Sequence, residues 1–442
     1  MRIYILILYL YINNCWCQTE FDFSPNAAID VKDKKDNFNT LGVALGGGAR
    51  TFLDKKFEIG ISNLTPSEAR LEAITADYRD LYDPDSNQWD FSKLDKEIDN
   101  MKKLGIKDII ANVFYTPKFL SSCPNSKSYA YCSPKDLHQW SNYVKSIVTH
   151  VYKKYGVMHW EIGNEPSGKV FFNAPMSKFY IFYIVTARSI KEVDSNILVG
   201  GYADNAFYIN AYDDFFKKIH RDDPSLLNFV TFHWYGDWSP HDKYNPRNIF
   251  KIAATIKQKL KENEFDDIPI FLTEWNMNAE GTIADARLKV VSYFIASQFW
   301  IAKSPINKNF FFRVEPYSKT NSSLLNSSGQ ITPVGFFFSQ VSEMYRSYDV
   351  AFYENNNVYV IFSPKSRKVV VTRYDGISER NKIHSNDIEF SISNVSCDKI
   401  EPKSMGGNFV SENIKISKVQ CENSKLHLSV LLKEYQSAII KY

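Results

Sequence analysis

From about residue 41 to residue 312, short β-rich runs alternate eight times with longer amphipathic segments. This rhythm restricts the chain to parallel strands joined by crossover helices. The strand candidates are 41–45, 70–75, 108–114, 158–162, 197–200, 229–233, 270–273 and 310–312. Helical periodicity fills 91–104, 134–155, 176–193, 248–262 and 285–303, while 52–67 is the poorest helical segment because Gly60 interrupts it. Eight such units in about 300 residues fit an α/β chain folded as a (β/α)8 TIM barrel. An open doubly wound sheet would advertise a glycine-rich phosphate turn, and Gly46-Gly47-Gly48 lacks that spacing, so it reads as a tight turn. The barrel is assigned to 41–345, after an N-terminal segment at 18–40. From 346 to 442 the β runs 358–362, 369–374, 388–392 and 426–431 predict a C-terminal antiparallel β-sandwich domain.

The chain opens with Met1-Arg2 and an apolar run from Ile3 to Ile12, the length of a signal-peptide core and too short to span a bilayer. Cys15 and Cys17 are small residues at the positions a signal peptidase prefers, so 1–17 is read as a signal peptide cleaved after Cys17. The expected location is secreted and extracellular, or a lysosome-like lumen, with no stable membrane insertion. Cleavage leaves Cys123, Cys132, Cys397 and Cys421 for an oxidising compartment. Four cysteines permit three pairings. Cys123 with Cys132 and Cys397 with Cys421 keep each bridge within one predicted domain. Glycosylation sequons stand at Asn321, Asn326 and Asn394, and a fourth at Asn63 is set aside because Pro66 follows it directly. A formal charge of +3 is too mild for a nucleic-acid partner.

Two glutamates carry the chemistry. In Trp160-Glu161-Ile162-Gly163-Asn164-Glu165-Pro166, strand alternation puts Glu161, Gly163 and Glu165 on one side. Glu165 then emerges at the carboxyl end of the fourth strand, where barrel active sites are built, and Glu161 lies deeper as a structural partner. In Phe271-Leu272-Thr273-Glu274-Trp275-Asn276, Glu274 faces inward at the end of the seventh strand. Glycosidic hydrolysis needs such a carboxyl pair, one to protonate the leaving oxygen and one to attack the anomeric carbon or activate water. Thr231, His233 and Tyr235 share the inward side of the sixth strand, where His233 and Tyr235 could hydrogen-bond the nucleophile. Arg70 opens the second strand, where its fixed positive charge could lower the pKa of a neighbouring carboxylate, the alternative being an ordinary ion pair at the barrel rim.

Asn164-Glu165-Pro166, His233-Trp234-Tyr235 and Thr273-Glu274-Trp275-Asn276, in that order, resemble clan A retaining glycosidases. Within the clan the chain is most similar to glycoside hydrolase family 39, the β-xylosidase and α-L-iduronidase family. Trp89-Asp90-Phe91, Leu94-Asp95, Gly105-Ile106-Lys107, Pro117, Trp140 and Tyr155-Gly156 echo that family's spacing. The resemblance implies a secreted, retaining, double-displacement O-glycosidase. Glu165 is its acid/base, Glu274 its nucleophile, and Asn164 the residue that hydrogen-bonds the sugar 2-hydroxyl. Tyr235 would steady Glu274, and Arg70, His233 and Trp275 complete the substrate-binding set. Clan members often carry tryptophan at the end of strand eight, where this chain reads Phe310-Phe311-Phe312-Arg313.

The implied partner is an oligosaccharide, polysaccharide or glycoconjugate, and no cofactor or metal is called for. Arg70, Lys118, Lys169 and Arg313 are the cations available to an acidic sugar. The alternatives are a related clan A hydrolase, heparanase-like or family 30, and a sugar-binding protein that has lost catalysis. Retention of both glutamates and of Asn164 speaks against the last.

Overall fold

A computed structural model describes residues 19–23, 29–30, 40–46, 51–239, 242–277, 286–316, 322–347, 350–355, 357–376, 386–393, 403–404, 415–422, 425–432 and 435–441. Eight parallel strands close a barrel: β1 (Thr40–Ala44), β2 (Glu68–Leu71), β3 (Asp108–Val113), β4 (His159–Ile162), β5 (Leu198–Asn205), β6 (Phe229–Tyr235), β7 (Ile270–Asn276) and β8 (Ile306–Phe312). β8 pairs back onto β1 through Phe310 and Gly42, which closes the ring. The strands are buried along nearly their whole length, as parallel strands covered on both faces must be.

The crossovers are α1 (Lys55–Leu64), α2 (Ser92–Lys103), α3 (Leu137–Tyr155), α4 (Met176–Val193), α5 (Ala211–Asp222), α6 (Arg247–Glu262), α7 (Ala286–Lys303) and α8 (Pro333–Arg346). α3 shows the local logic. The Asp136 side chain accepts from the His138 and Gln139 amides at 2.8 and 3.1 Å, and Gly156 ends the helix in the left-handed region. Between these ends Trp140, Tyr143, Val144, Ile147, Val148 and Val151 bury one face. Gly60 interrupts the pattern of α1 for a packing reason, because a Cβ there would sit 2.2 Å from the Gly329 carbonyl oxygen. α5 and α8 have no counterpart in the sequence-based helix assignment.

Beyond the barrel, both ends of the chain contribute to two sheets. One orders Thr19–Phe23, Asn386–Ser393, Lys425–Leu432 and Lys415–Glu422; the other orders Lys403–Ser404, Ser437–Lys441, Lys368–Arg373, Val358–Ser363, Ala351–Asn355 and Ile29–Asp30. The pairings are antiparallel except Thr19–Phe23 with Asn386–Ser393, which is parallel. The six-stranded sheet rests on α7, where Trp300 Nε1 donates to the Tyr359 hydroxyl at 3.3 Å and the Ser292 and Ser437 hydroxyls meet at 3.2 Å. Cys123 and Cys132 form a disulfide. The signal segment, Cys397 and its pairing with Cys421, Asn321 and Asn394 lie outside the described residues. Asn326 is described and half-buried, its side-chain Oδ1 accepting from the Ser328 and Gln330 amides. Among the described residues, no helix is long and apolar enough to cross a membrane.

Candidate active site

The β4 end does not deliver Glu165 by strand alternation. The strand stops at Ile162, Gly163 takes φ 99°, and Glu165 itself sits in the left-handed region at φ 44°, ψ 50°. A Cβ on Gly163 would meet the Phe179 ring at 2.7 Å, so only glycine fits between the turn and α4. The Glu165 amide donates to the Ala203 carbonyl at 2.9 Å, and Pro166 begins a short 3-10 turn. Glu165 therefore reaches the cleft from a strained turn pinned to β5. Its carboxyl arrives at the predicted place by a route the period-two reading does not contain.

On β7, Glu274 is 6% exposed and pairs in register with His233 of β6. Both of its oxygens are engaged: Arg70 Nη1 lies 2.6 Å from Oε1, and the Tyr235 hydroxyl donates to Oε2 at 2.7 Å. The same guanidinium places Nε 2.6 Å from Glu161 Oε2 and donates from Nη2 to Asn164 Oδ1 at 2.9 Å. Asn112 Nδ2 completes the cradle, donating to Glu161 Oε2 at 3.0 Å and to the Gly163 carbonyl at 2.8 Å. Arg70 is fully buried, so its ion pairs lie inside the barrel and not at the rim. Three of its nitrogens have protein acceptors, which makes it an organiser of the site in place of the substrate contact read from sequence. Burial alone would depress its pKa, but the charges of Glu161 and Glu274 hold it raised. Asn164 Oδ1 is taken by Arg70, which leaves the amide nitrogen as its donor.

His233 is fully buried, and its nearer carboxyl is Glu165: Nδ1 lies 2.9 Å from Glu165 Oε1 and 3.6 Å from Glu274 Oε2. The sequence pairs His233 with Glu274, and the register irregularity between Phe232 and His233 accompanies its nearer approach to Glu165. Burial lowers its pKa to about 4, so the ring is neutral at pH 7. Burial also raises Glu165 to about 7, against the opposing pull of Arg70. One carboxylate oxygen of each glutamate and one His233 nitrogen lie within 4.8 Å of one another. Three such donors could ligate a metal ion; Arg70 and Tyr235 engage both oxygens of Glu274, and His233 engages one oxygen of Glu165. The arrangement is that of one carboxyl whose pKa burial raises beside a second given a cationic partner.

Trp275 does not line the cleft. It is fully buried, stacks on Phe294 of α7 at 5.8 Å and donates from Nε1 to Asn309 Oδ1 at 3.0 Å. Thus it packs strand against helix, on the side opposite Glu274. Phe312 meets the Tyr235 ring edge-on at 5.9 Å, and Trp238 meets the other side of that ring at 4.6 Å. Arg313 is held by Glu315, with Nη2 2.5 Å from Oε1, whereas Lys118 and Lys169 are exposed. The sequence reading missed Asn112, Glu72 and Asp204. Asn112 was legible as an inward position of β3. Asp204 is fully buried at the β5 end, hydrogen-bonded to Ser167 next to the Glu165 turn, and burial raises it to about 7.

Residues 48–289 match the model of the family described as glycosyl hydrolases family 39. Over 209 residues the chain is 27% identical to a beta-xylosidase of Geobacillus stearothermophilus, covering 42% of this chain and 41% of that one. The matched stretches thus span about two fifths of the curated relatives. Among solved structures, a monomeric beta-xylosidase from Caulobacter crescentus CB15 superposes with a TM-score of 0.70 at 16% identity, covering 95% of this chain and 98% of that one. A glucosidase from Croceicoccus marinus gives 0.67 at 15% identity, covering 96% and 98%. At such identities the two structures establish a common fold.

Proposed function

The chain belongs to glycosyl hydrolases family 39, and from that premise we propose that it is a retaining O-glycosidase with Glu274 as nucleophile and Glu165 as acid/base. The observation that carries the reading is the approach of the two carboxyls within 4.8 Å, oxygen to oxygen. Retaining enzymes hold the pair about 5 to 5.5 Å apart, whereas inversion needs about 6.5 to 9.5 Å to admit a water.

In the first step a Glu274 oxygen bonds to the anomeric carbon while the glycosidic C–O bond breaks and Glu165 gives its proton to the departing oxygen. In the second, Glu165, now ionised, takes a proton from water as that water's oxygen displaces Glu274. Arg70 and Tyr235 fix the nucleophile, His233 orders the Glu165 carboxyl, and the Asn164 amide donates to the hydroxyl beside the reacting carbon. The relatives named beta-xylosidase and glucosidase make neutral pentosides and hexosides the first substrates to try.

We also propose a secreted protein beginning near Gln18, a reading supported by the apolar start, the sequons and the Cys123–Cys132 bridge. The two C-terminal sheets are taken to pack as a β-sandwich. A panel of aryl glycosides followed by proton NMR of the first-formed sugar tests the activity: retention of anomeric configuration is expected, and the opposite anomer would sink the double displacement. Binding without turnover of any glycoside would favour the inactive sugar-binding alternative.

A further inference from the structure

Glu72 is a carboxyl at the site that the catalytic cycle does not use. It follows β2 directly, two residues after Arg70. Its main chain is anchored, because the Glu72 carbonyl accepts from Arg79 Nη2 at 3.1 Å and from the Tyr78 hydroxyl at 3.3 Å. The side chain is 6% exposed, and its Oε2 is buried without a hydrogen-bond partner. Glu97 and Glu161 also leave one oxygen unpaired, but each is tied through the other to an arginine. Among the described residues, no side chain donates to Glu72.

A carboxyl buried without a partner costs free energy that a native fold ordinarily avoids. Beside the buried Arg70–Glu274 pair, a sugar hydroxyl is a partner of the right chemistry for it. The charges that act most on Glu72 are those of Arg70, Glu274, Arg313 and Glu161, three of which belong to the Arg70–Glu274 cluster of the site. Burial raises Glu72 to about 8, with Glu274 adding to the effect and Arg70 and Arg313 opposing it. Near neutral pH it carries a proton, can donate as well as accept, and does not repel the nucleophile. The last torsion of a glutamate is broad, so either oxygen can turn toward a ligand.

We infer that Glu72 reads the glycone, its carboxyl hydrogen-bonding a ring hydroxyl other than the one beside Asn164, and thereby sets which sugar the site accepts. This rests on the glycosidase reading above and names a recognition residue for that same cleft.

The test compares wild type, Glu72→Gln and Glu72→Ala. Calorimetry measures binding of hydroxylated iminosugars of xylo and gluco configuration and of their analogues lacking one hydroxyl each, and kcat/KM is measured on the matching aryl glycosides. In wild type, removing the hydroxyl that Glu72 meets should weaken binding about 10- to 100-fold, and that penalty should vanish in Glu72→Ala while Glu72→Gln retains part of it. A merely structural role predicts equal loss across the whole set, and that result overturns the inference. If Glu72→Ala does not fold, Glu72→Gln must still change the ranking of the analogues; an unchanged ranking overturns it equally. Wild type that binds iminosugars but cleaves no glycoside defeats the catalytic reading and leaves the Glu72 discrimination measurable. A cleft that binds none of them defeats the Glu72 assignment.

Discussion

Arg70 Nη1 lies 2.6 Å from Glu274 Oε1, inside the barrel and shielded from solvent. That contact links β2 to β7, and the remaining guanidinium nitrogens run to Glu161 and Asn164 beside the acid/base turn. A single planar cation therefore sets Glu274, the Asn164 side chain and Glu161 beneath the turn that presents Glu165. Only arginine offers rigid donors in three directions; a lysine ammonium is a point charge on a flexible stem.

Replacing Arg70 by lysine should lower kcat by about 100-fold, the scale on which a misplacement of roughly 1 Å is felt. Arg70→Met leaves Glu161 and Glu274 buried with no counter-charge and should cost about 3 to 5 kcal/mol of stability. Urea unfolding and steady-state kinetics on the same preparations separate the two effects. Wild-type kcat in Arg70→Lys would show that the three-way contact is dispensable.

Breaking the Cys123–Cys132 bridge should cost about 2.5 kcal/mol on the chain-entropy account of a loop this short, the two cysteines being nine residues apart. The loop carries Tyr131, whose ring lies 5.4 Å from Tyr115 at the β3 end, so the cleft wall should loosen too. Cys123→Ser with Cys132→Ser tests this through the urea midpoint and KM. A midpoint that does not move would mean the loop is held by its other contacts, such as the Ser121 hydroxyl donating to the Tyr129 carbonyl at 2.7 Å.

The barrel was legible because its strands are short apolar runs separated by helices with clear periodicity, and α4 over Met176–Val193 coincides with its predicted span. α5 was missed because it follows a strand that runs five residues beyond its predicted end, from Gly200 to Asn205, and the assignment leaves that stretch as connection. The convergence of Glu165 and Glu274 at one end of the barrel was legible from motif and order. What was not legible is side-chain direction at strand ends: Glu165 leaves the strand through a left-handed turn, His233 follows a register irregularity, and the Trp275 ring packs outward against Phe294. Period-two reasoning fails where a strand gives way to a turn, and active sites of barrels are built there.

The rate of cleavage with poor leaving groups should fall as pH rises through about 7, because burial raises Glu165 to that value and its protonated form is the acid. The sign follows directly. Below about 7 the proton is present and departure is assisted; above it the carboxylate cannot donate. An alkyl glycoside should show this basic limb in kcat/KM, an activated aryl glycoside should show much less of it, and Glu165→Gln should abolish it. A limb that persists in Glu165→Gln would assign the titration to another group, with Asp204, also raised to about 7, as the first to examine.

The two glutamates should also part company in their response to azide. Glu274→Ala removes the atom that attacks the anomeric carbon, and loss of a nucleophile is felt on the order of 10⁶-fold, whatever the leaving group. Glu165→Ala removes only proton transfer, worth about 10² to 10⁴-fold, and an activated aryl leaving group departs without it. In that variant the glycosyl-enzyme still forms but waits for a water that no base activates. Azide is a nucleophile that needs no base, and near the site vacated by the Glu165 carboxylate it meets no like charge. Added azide should therefore restore turnover in Glu165→Ala and yield a glycosyl azide with the configuration of the substrate. Glu274→Ala offers a different opening, on the opposite face of the sugar, so any azide product there should carry the inverted configuration. Chiral analysis of the two azides reads the roles directly. Should Glu165→Ala give the inverted azide and Glu274→Ala the retained one, nucleophile and acid/base would be exchanged; folded variants that lose activity equally on activated substrates, with no rescue of Glu165→Ala, would defeat the assignment of both.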